Sequence, residues 1–172
     1  MKRVVIIALA FALTGCGILR NRHPNPCARP SLLDGKQKIV CALALDGVLP
    51  VQQGDKIRLI LSNDKFFQLN SSEFRHDHYG ALTQVIELAA SYPDRQIQVI
   101  SYGDNVGAPR AIKSLSQLRA DNIAAFMWAQ GIKPERIVAV GRGRKAPIAT
   151  NRSPRGSAHN RRTEIIVNPP FA

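Results

Sequence analysis

Residues 101–132 read SYGDNVGAPRAIKSLSQLRADNIAAFMWAQGI, and they begin inside an apolar, alternating segment that covers Ile97 to Tyr102. Alternation of this kind predicts a β-strand, and the Asp-Asn-Val-Gly that starts at Asp104 predicts a turn after it. Arg119 follows fifteen positions later, within the apolar spacing of an amphipathic helix. A carboxylate at a strand end and a guanidinium on the next helix can converge on one ligand. The pair suits a zwitterion, because the acid holds an ammonium group and the arginine holds a carboxylate.

Two helices are predicted by apolar residues at relative positions 0, 3, 4 and 7. The first covers roughly residues 72–91 and ends before Pro93, because the residue before a proline disfavours helix. The second contains Arg119 and ends at Gly131, with Pro134 shortly after it. The apolar stripes consist of Leu82, Val85, Ile86 and Ala89 in the first helix and Ala120, Ile123, Ala124 and Met127 in the second.

The remaining elements are shorter. Residues 48–53 and 56–62 flank Gly54-Asp55, which predicts a hairpin with a two-residue turn. Residues 36–45 have weak helical spacing, and residues 137–140 and 163–167 complete the strands. The order of these elements predicts an α/β (α+β) fold, a two-layer sandwich with helices packed on one face of a mixed β-sheet.

The residues around Asp104 and Arg119 resemble the OmpA-like, peptidoglycan-binding domain. Its pattern has an Asp at a strand end, then Leu-Ser-x-x-Arg-Ala, a helix and Gly-Val/Ile. The residues that match this first block are Asp104, Leu115, Ser116, Arg119, Ala120, Gly131 and Ile132. Those that match the second, downstream block are Gly141, Gly143, Pro147, Asn151, Gly156, Asn160, Arg161, Arg162 and Glu164. The resemblance covers roughly residues 65–167 and implies the same sandwich, with an OmpA-like domain assigned to 65–172 and an N-terminal extension with the hairpin to 36–64.

The resemblance also implies a binding site without catalysis. Asp104 and Arg119 would bind the diaminopimelate residue of peptidoglycan stem peptides, and Asn70 would reach the same ligand from the first strand-to-helix junction. Each residue has an ordinary alternative. Asp104 is a turn former, Arg119 is a candidate for a solvated helical arginine, and Asn70 is a candidate helix N-cap with the serines that follow it.

Two positions depart from the family pattern close to this site. Ile112 stands where the family has an asparagine, and Ser101-Tyr102-Gly103 replaces Gly-His-Thr before the aspartate. An isoleucine cannot donate to a carboxylate, and losing one charge-assisted hydrogen bond costs roughly 1.5–3 kcal/mol. The substitution therefore predicts peptidoglycan binding that is about ten- to a hundredfold weaker.

The N-terminus predicts export and lipidation. Met1-Lys2-Arg3 is basic, an apolar run too short to serve as a membrane span follows, and Leu-Thr-Gly-Cys ends at Cys16. Residues 1–15 are interpreted as a signal peptide, and Cys16 as the lipidated first residue of the mature chain, carrying acyl groups such as palmitate. The alternatives are an ordinary signal peptide with a chance cysteine and an uncleaved anchor. By analogy with the family, Gly17 in place of an aspartate gives no retention at the inner membrane, so the protein is expected on the outer membrane, facing the periplasm. Residues 16–35, with three prolines, are expected to form an extended tether of at most roughly 65 Å.

Cys27 and Cys41 are the other two cysteines. The periplasm is oxidising, and a disulfide between them would contribute roughly 3 kcal/mol in the chain-entropy model. The alternative is a pair of free thiols that pack as small apolar side chains.

The chain has 24 Lys and Arg against 12 Asp and Glu, so its net charge is +12, and removing Lys2 and Arg3 leaves +10. Much of the excess lies in residues 142–162, which contain no acid. Such a charge favours nucleic acid as a partner, but an exported lipoprotein meets anionic lipid and cell wall instead. Nucleic acid is therefore not expected, and the basic segment has the alternative of a solvated loop.

No enzyme activity, metal or cofactor is predicted. No serine or cysteine lies in a motif that a base would activate. His76-Asp77-His78 is interpreted as a solvated helix start, because neighbouring helical positions point apart.

The predicted function is that of a lipoprotein that ties an envelope assembly to peptidoglycan through diaminopimelate. The chain is short, with a hairpin before the domain and Trp128 in the second helix. This arrangement is similar to that of OmpA-like lipoproteins of type IVB secretion systems. One alternative is a structural subunit that has lost wall binding and contacts other proteins of the complex. Another is a basic module for nucleic acid or anionic lipid.

Overall fold

The computed structural model describes Cys27 and residues 34–169. The predicted signal peptide, Cys16 and nearly all of the predicted tether lie outside the described residues. None of the helices in the described part is long and apolar enough to cross a membrane. The helices are α1 (Gly35–Leu45), α2 (Asn63–Phe66), α3 (Tyr79–Ala90), α4 (Pro109–Ala129) and α5 (Pro154–Asn160). The strands are β1 (Leu49–Gln53), β2 (Lys56–Ser62), β3 (Ile97–Tyr102), β4 (Ile137–Gly143) and β5 (Arg162–Val167).

The five strands form one mixed sheet in the order β1-β2-β5-β3-β4. β3 and β4 are parallel and are joined by α4, whereas the other neighbouring pairs are antiparallel. The predicted hairpin is confirmed, since Gln53 pairs with Lys56 and leaves Gly54 and Asp55 as the turn. Gly54 has a φ of +56°, a conformation that glycine adopts without strain. The predicted fold class is therefore confirmed.

The core lies between one face of the sheet and the helices. Alternate residues of β2 are buried, and α3 and α4 direct their apolar stripes at the same layer. Both predicted stripes are confirmed, except that Ala124 is only half-buried. The largest fully buried side chains are Phe66, Phe67, Leu43, Leu59, Leu61, Leu82, Leu88, Ile97, Ile123, Met127, Ile132 and Ile165.

Helix α1 closes one end of this core. Asp34 caps it by accepting a hydrogen bond from Gln37 N (2.7 Å), while Gln37 Oε1 accepts from Asp34 N (3.2 Å). α1 packs on α3 and β1, with Leu43 fully buried. The structure places a disulfide between Cys27 and Cys41, with a Cα–Cα distance of 5.5 Å. The bond joins the chain before α1 to the middle of that helix.

The start of the first long helix was predicted too early. α3 begins at Tyr79, after a 3-10 turn over His76–His78, and not near residue 72. The intervening segment folds back on itself, because Phe67 and Phe74 form a β-bridge and their rings stack at 5.2 Å. Local helical spacing is thus overridden by the burial of aromatic rings.

The basic segment 142–162 is not a plain loop, because it contains α5. Ser153 caps this short helix by accepting from Gly156 N (3.1 Å). Asn160 is fully buried and its amide fixes the preceding turn, accepting from Ile148 N and Ala149 N and donating to Ala149 O. The strand before this segment also runs further than predicted, to Gly143.

Candidate functional site

Asp104 lies just after β3, where the sheet ends and the loop to α4 begins. Gly103 N donates to Gly143 O (2.8 Å), which holds this loop against the end of the neighbouring strand. One Asp104 carboxylate oxygen accepts from Val106 N (3.1 Å), and the residue is only 6% exposed. Asp104 therefore forms the turn that its sequence predicts. The same turn holds its carboxylate in a cleft.

Arg161 bridges Asp104 to a second carboxylate, Asp64. Its Nη1 donates to Asp104 Oδ2 (2.5 Å), while its Nε and Nη2 donate to both oxygens of Asp64 (2.7 and 2.6 Å). The hydrogen bonds that Arg161 donates to Asp64, followed by the one that it donates to Asp104, raise the pKa of Arg161 above its ordinary value. Two carboxylates thus share one guanidinium at this end of the cleft.

Asp64 is held in place by a buried polar network beneath it. The preceding residue, Asn63, donates from its amide to Tyr102 O (2.9 Å) and accepts from the Thr163 hydroxyl (2.7 Å). This network joins the ends of β2, β3 and β5, because Thr163 also contacts the Ser101 hydroxyl at 2.9 Å. The carboxylates at the ends of β2 and β3 are therefore attached to a rigid support.

Arg119, on α4, is buried, with an exposed fraction of 6%. Its Nε donates to Ser71 O (2.9 Å), and its guanidinium carbon lies 5.2 Å from the centre of the Phe67 ring. Burial lowers the pKa of Arg119, against an opposing effect of Asp64. Among the described residues, none accepts a hydrogen bond from its two terminal nitrogens. Arg119 is thus not a solvated helical arginine, and it can offer two donors to a carboxylate.

Asn70 lies in the turn that precedes the Arg119 contact. It has a φ of +54°, within a turn closed by a hydrogen bond from Ser71 N to Gln68 O (3.1 Å). The residue is exposed and is not a helix N-cap, since His78 occupies that position before α3. Asn70 lines the same cleft as Asp104 and Arg119.

The cleft has a volume of about 920 Å³, and its walls come from residues 63–75, residues 102–119 and Arg161. Charged groups occupy part of its surface. Its other lining residues include Phe67, Leu69, Val106, Ala108, Ala111, Ile112, Leu115 and Leu118. Sequence reasoning missed Asp64 and assigned Arg161 no role in binding. The reasoning used for Asp104 could also have identified Asp64, because Asp64 too is a carboxylate just after a strand.

The two departures from the family pattern contact each other. A Cβ placed on Gly103 would lie 2.4 Å from the Cγ2 methyl of Ile112, so that methyl occupies the space of a side chain at position 103. Ile112 is half-buried and also lies near Gly107. The methyl group of Ile112 thus fills the space beside Gly103, and the two residues leave an apolar wall beside Asp104.

The basic segment divides into exposed and paired arginines. Arg142 and Arg155 are exposed. Arg162 is buried, donates to Glu164 (2.8 Å) and stacks on Tyr102, its guanidinium carbon 3.9 Å from the ring centre. With Arg161 in the cleft, only part of this segment is a solvated basic face.

The His76–His78 segment is held by an ion pair with Arg75, which donates to both oxygens of Asp77 (3.3 and 3.0 Å). That interaction lowers the pKa of Asp77. Across Cys27 and residues 34–169, no three His, Cys, Asp or Glu side chains are grouped so that they could hold a metal ion.

Residues 66–161 match the model of the OmpA family. The chain is 36% identical over 123 residues to the probable lipoprotein YiaD of Escherichia coli K12, covering 72% of this chain and 56% of the relative. It is 38% identical over 90 residues to the peptidoglycan-binding protein ArfA of Mycobacterium tuberculosis H37Rv, covering 52% of this chain and 28% of ArfA. The chain thus spans about half and about a quarter of these two relatives.

A solved structure shares the architecture. The cell wall anchor of the type VI secretion system from Pseudomonas aeruginosa superposes with a TM-score of 0.66 and 27% sequence identity. The superposition covers 74% of this chain and 95% of that one.

Proposed function

Because this chain belongs to the OmpA family, whose model spans residues 66–161, we propose that it binds peptidoglycan through the diaminopimelate of its stem peptides. The role is that of an anchor and requires no bond to be made or broken. YiaD is described as a probable lipoprotein and ArfA as peptidoglycan-binding, and both descriptions fit a protein of the cell envelope.

The observation that carries this proposal is the arrangement of charge in one cleft. Asp104 and Asp64 supply two carboxylates, while Arg161 and Arg119 supply two guanidinium groups. The terminal nitrogens of Arg119 have no acceptor within the described residues, so they are available for a ligand carboxylate. A ligand that carries both an ammonium group and a carboxylate leaves the cleft electrically neutral, as does the free end of diaminopimelate.

Arg161 sets the affinity of the ammonium end. It already donates to one oxygen of Asp104 and to both oxygens of Asp64, so a ligand ammonium group must share a carboxylate with it. Each charge-assisted hydrogen bond contributes roughly 1.5–3 kcal/mol. A shared carboxylate gives less than an unpaired one, which, together with Ile112, favours a weak, reversible interaction.

The proposed location follows from the N-terminus. A lipid on Cys16, with aspartate absent at position 17, would place the domain on the periplasmic side of the outer membrane. The short chain, with its hairpin before the domain and Trp128 in the long helix, resembles IcmN/DotK, the OmpA-like lipoprotein of type IVB secretion systems. We therefore propose that the wall contact anchors an assembly of that class.

The experiment is sedimentation with purified sacculi. Asp104→Ala and Arg119→Ala are expected to reduce the sedimented fraction of the chain, each by about tenfold in affinity or more, since each removes a charge-assisted contact. Arg155→Ala is the matched control for Arg119→Ala, because Arg155 is exposed and its loss changes net charge equally. Thermal melting checks that each variant is folded.

Sedimentation that both folded variants retain would contradict the proposed site. Sedimentation absent even for the unchanged chain would favour the second candidate, a subunit that contacts proteins. One observation favours that candidate: Trp128 on α4 is 64% exposed, and exposed tryptophans are enriched in protein interfaces.

A further inference from the structure

The face of the sheet that points away from the helices is mostly apolar. Alternate side chains of β2 enter the core, so the side chains between them lie on the opposite face. The strand register continues that face across the sheet in one row of neighbours, Leu49, Ile60, Glu164, Ile100 and Val140. A second row consists of Val51, Arg58, Ile166, Gln98 and Val138. These ten positions, the outer face, hold seven apolar residues.

The outer face is separate from the core. None of its apolar side chains belongs to the core cluster that the described residues form, although Ile166 is only 4% exposed. Leu49 and Val138, at opposite edges of the sheet, are 59% and 39% exposed, and the other four apolar residues are half-buried. The solvated face of a sheet is normally polar. An apolar one therefore marks an interaction surface.

The polar groups at the outer face carry an excess of positive charge. The only acid among the ten positions, Glu164, accepts from Arg162 Nε (2.8 Å) and lies 3.6 Å from Arg58 Nε. Arg162 is buried, and its Nη1 has no hydrogen-bond partner within the described residues. Burial and Glu164 raise the pKa of Tyr102 while Arg162, Arg142 and Arg58 oppose the rise, so all three arginines lie near this ring. Three guanidinium groups against one carboxylate favour an acidic partner and disfavour pairing with the same face of a second copy.

The edges of the sheet are poorly suited to an added strand. On the free edge of β4, Gln117 of α4 donates to Ala139 O (3.3 Å) and accepts from Gly141 N (2.7 Å), so these backbone groups already have partners. β1, at the other edge, contains Pro50, which has no N–H to give to a neighbouring strand. A partner would therefore add a layer on the outer face instead of a strand.

We propose that the outer face binds an amphipathic helix of another protein, whose apolar stripe is flanked by glutamate or aspartate. Five strands spaced about 4.8 Å apart make the two apolar rows roughly 19 Å long, which is the length of a helix of about 13 residues. The flanking carboxylates pair with Arg142 and with the free Nη1 of Arg162. The surface uses neither Asp104 nor Arg119, so this inference goes beyond the proposed function and does not depend on it.

The probe is a synthetic helical peptide of about 18 residues with a leucine stripe flanked by glutamates, and a second peptide has lysines in place of the glutamates. Fluorescence anisotropy measures their binding to the full-length chain in nanodiscs of uncharged lipid, with empty nanodiscs subtracted. The glutamate peptide is expected to bind at least about tenfold more tightly than the lysine peptide. It should shift the methyl NMR signals of Ile60, Ile100 and Val140 and leave those of Leu59 and Val99, on the core side, nearly unchanged.

Two variants locate the contact. Val138→Asp is expected to weaken binding of the glutamate peptide about tenfold or more, and Val106→Asp is its matched control, because Val106 is exposed and lies off the outer face. Arg142→Glu should also weaken binding, whereas Arg155→Glu should not, since Arg155 is exposed on α5. Arg119→Ala should bind the peptide normally. Thermal melting checks that each variant is folded.

Three results would overturn the proposal. The first is no binding of the glutamate peptide, or equal binding of both peptides. The second is a peptide affinity that folded Val138→Asp and Arg142→Glu retain. The third is a response of the same methyl signals to phosphatidylglycerol in the nanodiscs but not to the peptide, which would assign the surface to anionic lipid. None of these results bears on sedimentation with sacculi, which tests the cleft.

Discussion

Replacing Gly103 by alanine is expected to destabilise the protein through a single contact, the one with Ile112. The added Cβ would lie 2.4 Å from Ile112 Cγ2, while its next neighbours are at 3.8 Å and 4.0 Å. Carbon atoms pack at about 3.5–4.0 Å, so the isoleucine must move by more than about 1 Å.

Overpacking of this kind costs about 1–3 kcal/mol. Restricting the unfolded chain by the change from glycine to alanine gains about 0.4–1 kcal/mol. The net expectation is a loss of about 1–2 kcal/mol in the free energy of unfolding of Gly103→Ala. The loss depends on the isoleucine, so Gly103→Ala in an Ile112→Ala background should be neutral or slightly stabilising.

The assay is urea unfolding of the four proteins in this double-mutant cycle, with the slope m checked for constancy. Gly80→Ala is the matched control, since Gly80 lies in the first turn of α3 with no atom within 4 Å of an added Cβ. It should raise stability by up to about 1 kcal/mol. The reasoning is refuted if Gly103→Ala loses the same free energy with and without the Ile112 side chain.

Other changes probe the structure in the same way. Gly141→Ala should destabilise more than Gly103→Ala, because its Cβ would lie 2.2 Å from the backbone nitrogen of Gln117 and a helix backbone cannot rotate away; near-normal urea stability would contradict this. Asn160→Ala should lower the free energy of unfolding by roughly 1–3 kcal/mol, because the partly buried backbone groups that its amide bonds would lose their partner, and it should speed amide exchange at residues 148 and 149. Cys41→Ser should lower the free energy of unfolding by roughly 3 kcal/mol, and an unchanged melting temperature after reduction of the unmodified chain would argue against the bond. Burial raises the pKa of Tyr102 above 10.0, so the unfolded chain loses its proton first and stability should fall as pH rises through 10; Tyr102→Phe should weaken that fall, measured by urea unfolding at pH 9 and 10.5.

The fold was largely predictable because its elements carry strong local patterns. β3 occupies the predicted residues 97–102, and the hairpin turn was marked by Gly54-Asp55. The start of α3 was not predictable from spacing, because aromatic packing between Phe67 and Phe74 draws residues 72–78 out of the helix. Periodicity describes one element at a time and does not register a competing contact from another segment.

The site was predictable only in part. Asp104 and Arg119 follow from their positions relative to a strand and a helix, and the structure brings both to one cleft. Arg161 and Asp64 are 97 residues apart, so no local pattern joins them. The contact between Ile112 and Gly103 was equally hidden, since each departure was visible in the sequence but their adjacency is a property of the fold.

If Cys16 carries the proposed lipid, the bond between Cys27 and Cys41 limits how far the domain lies from the membrane. An anchor at Cys16 is separated from Cys27 by about 11 residues, which span at most about 38 Å. Counted instead to Gly35, where α1 begins, the same limit is roughly 65 Å. The oxidised protein would therefore search a layer close to the membrane surface. Reducing one covalent link would nearly double the depth of periplasm within its range.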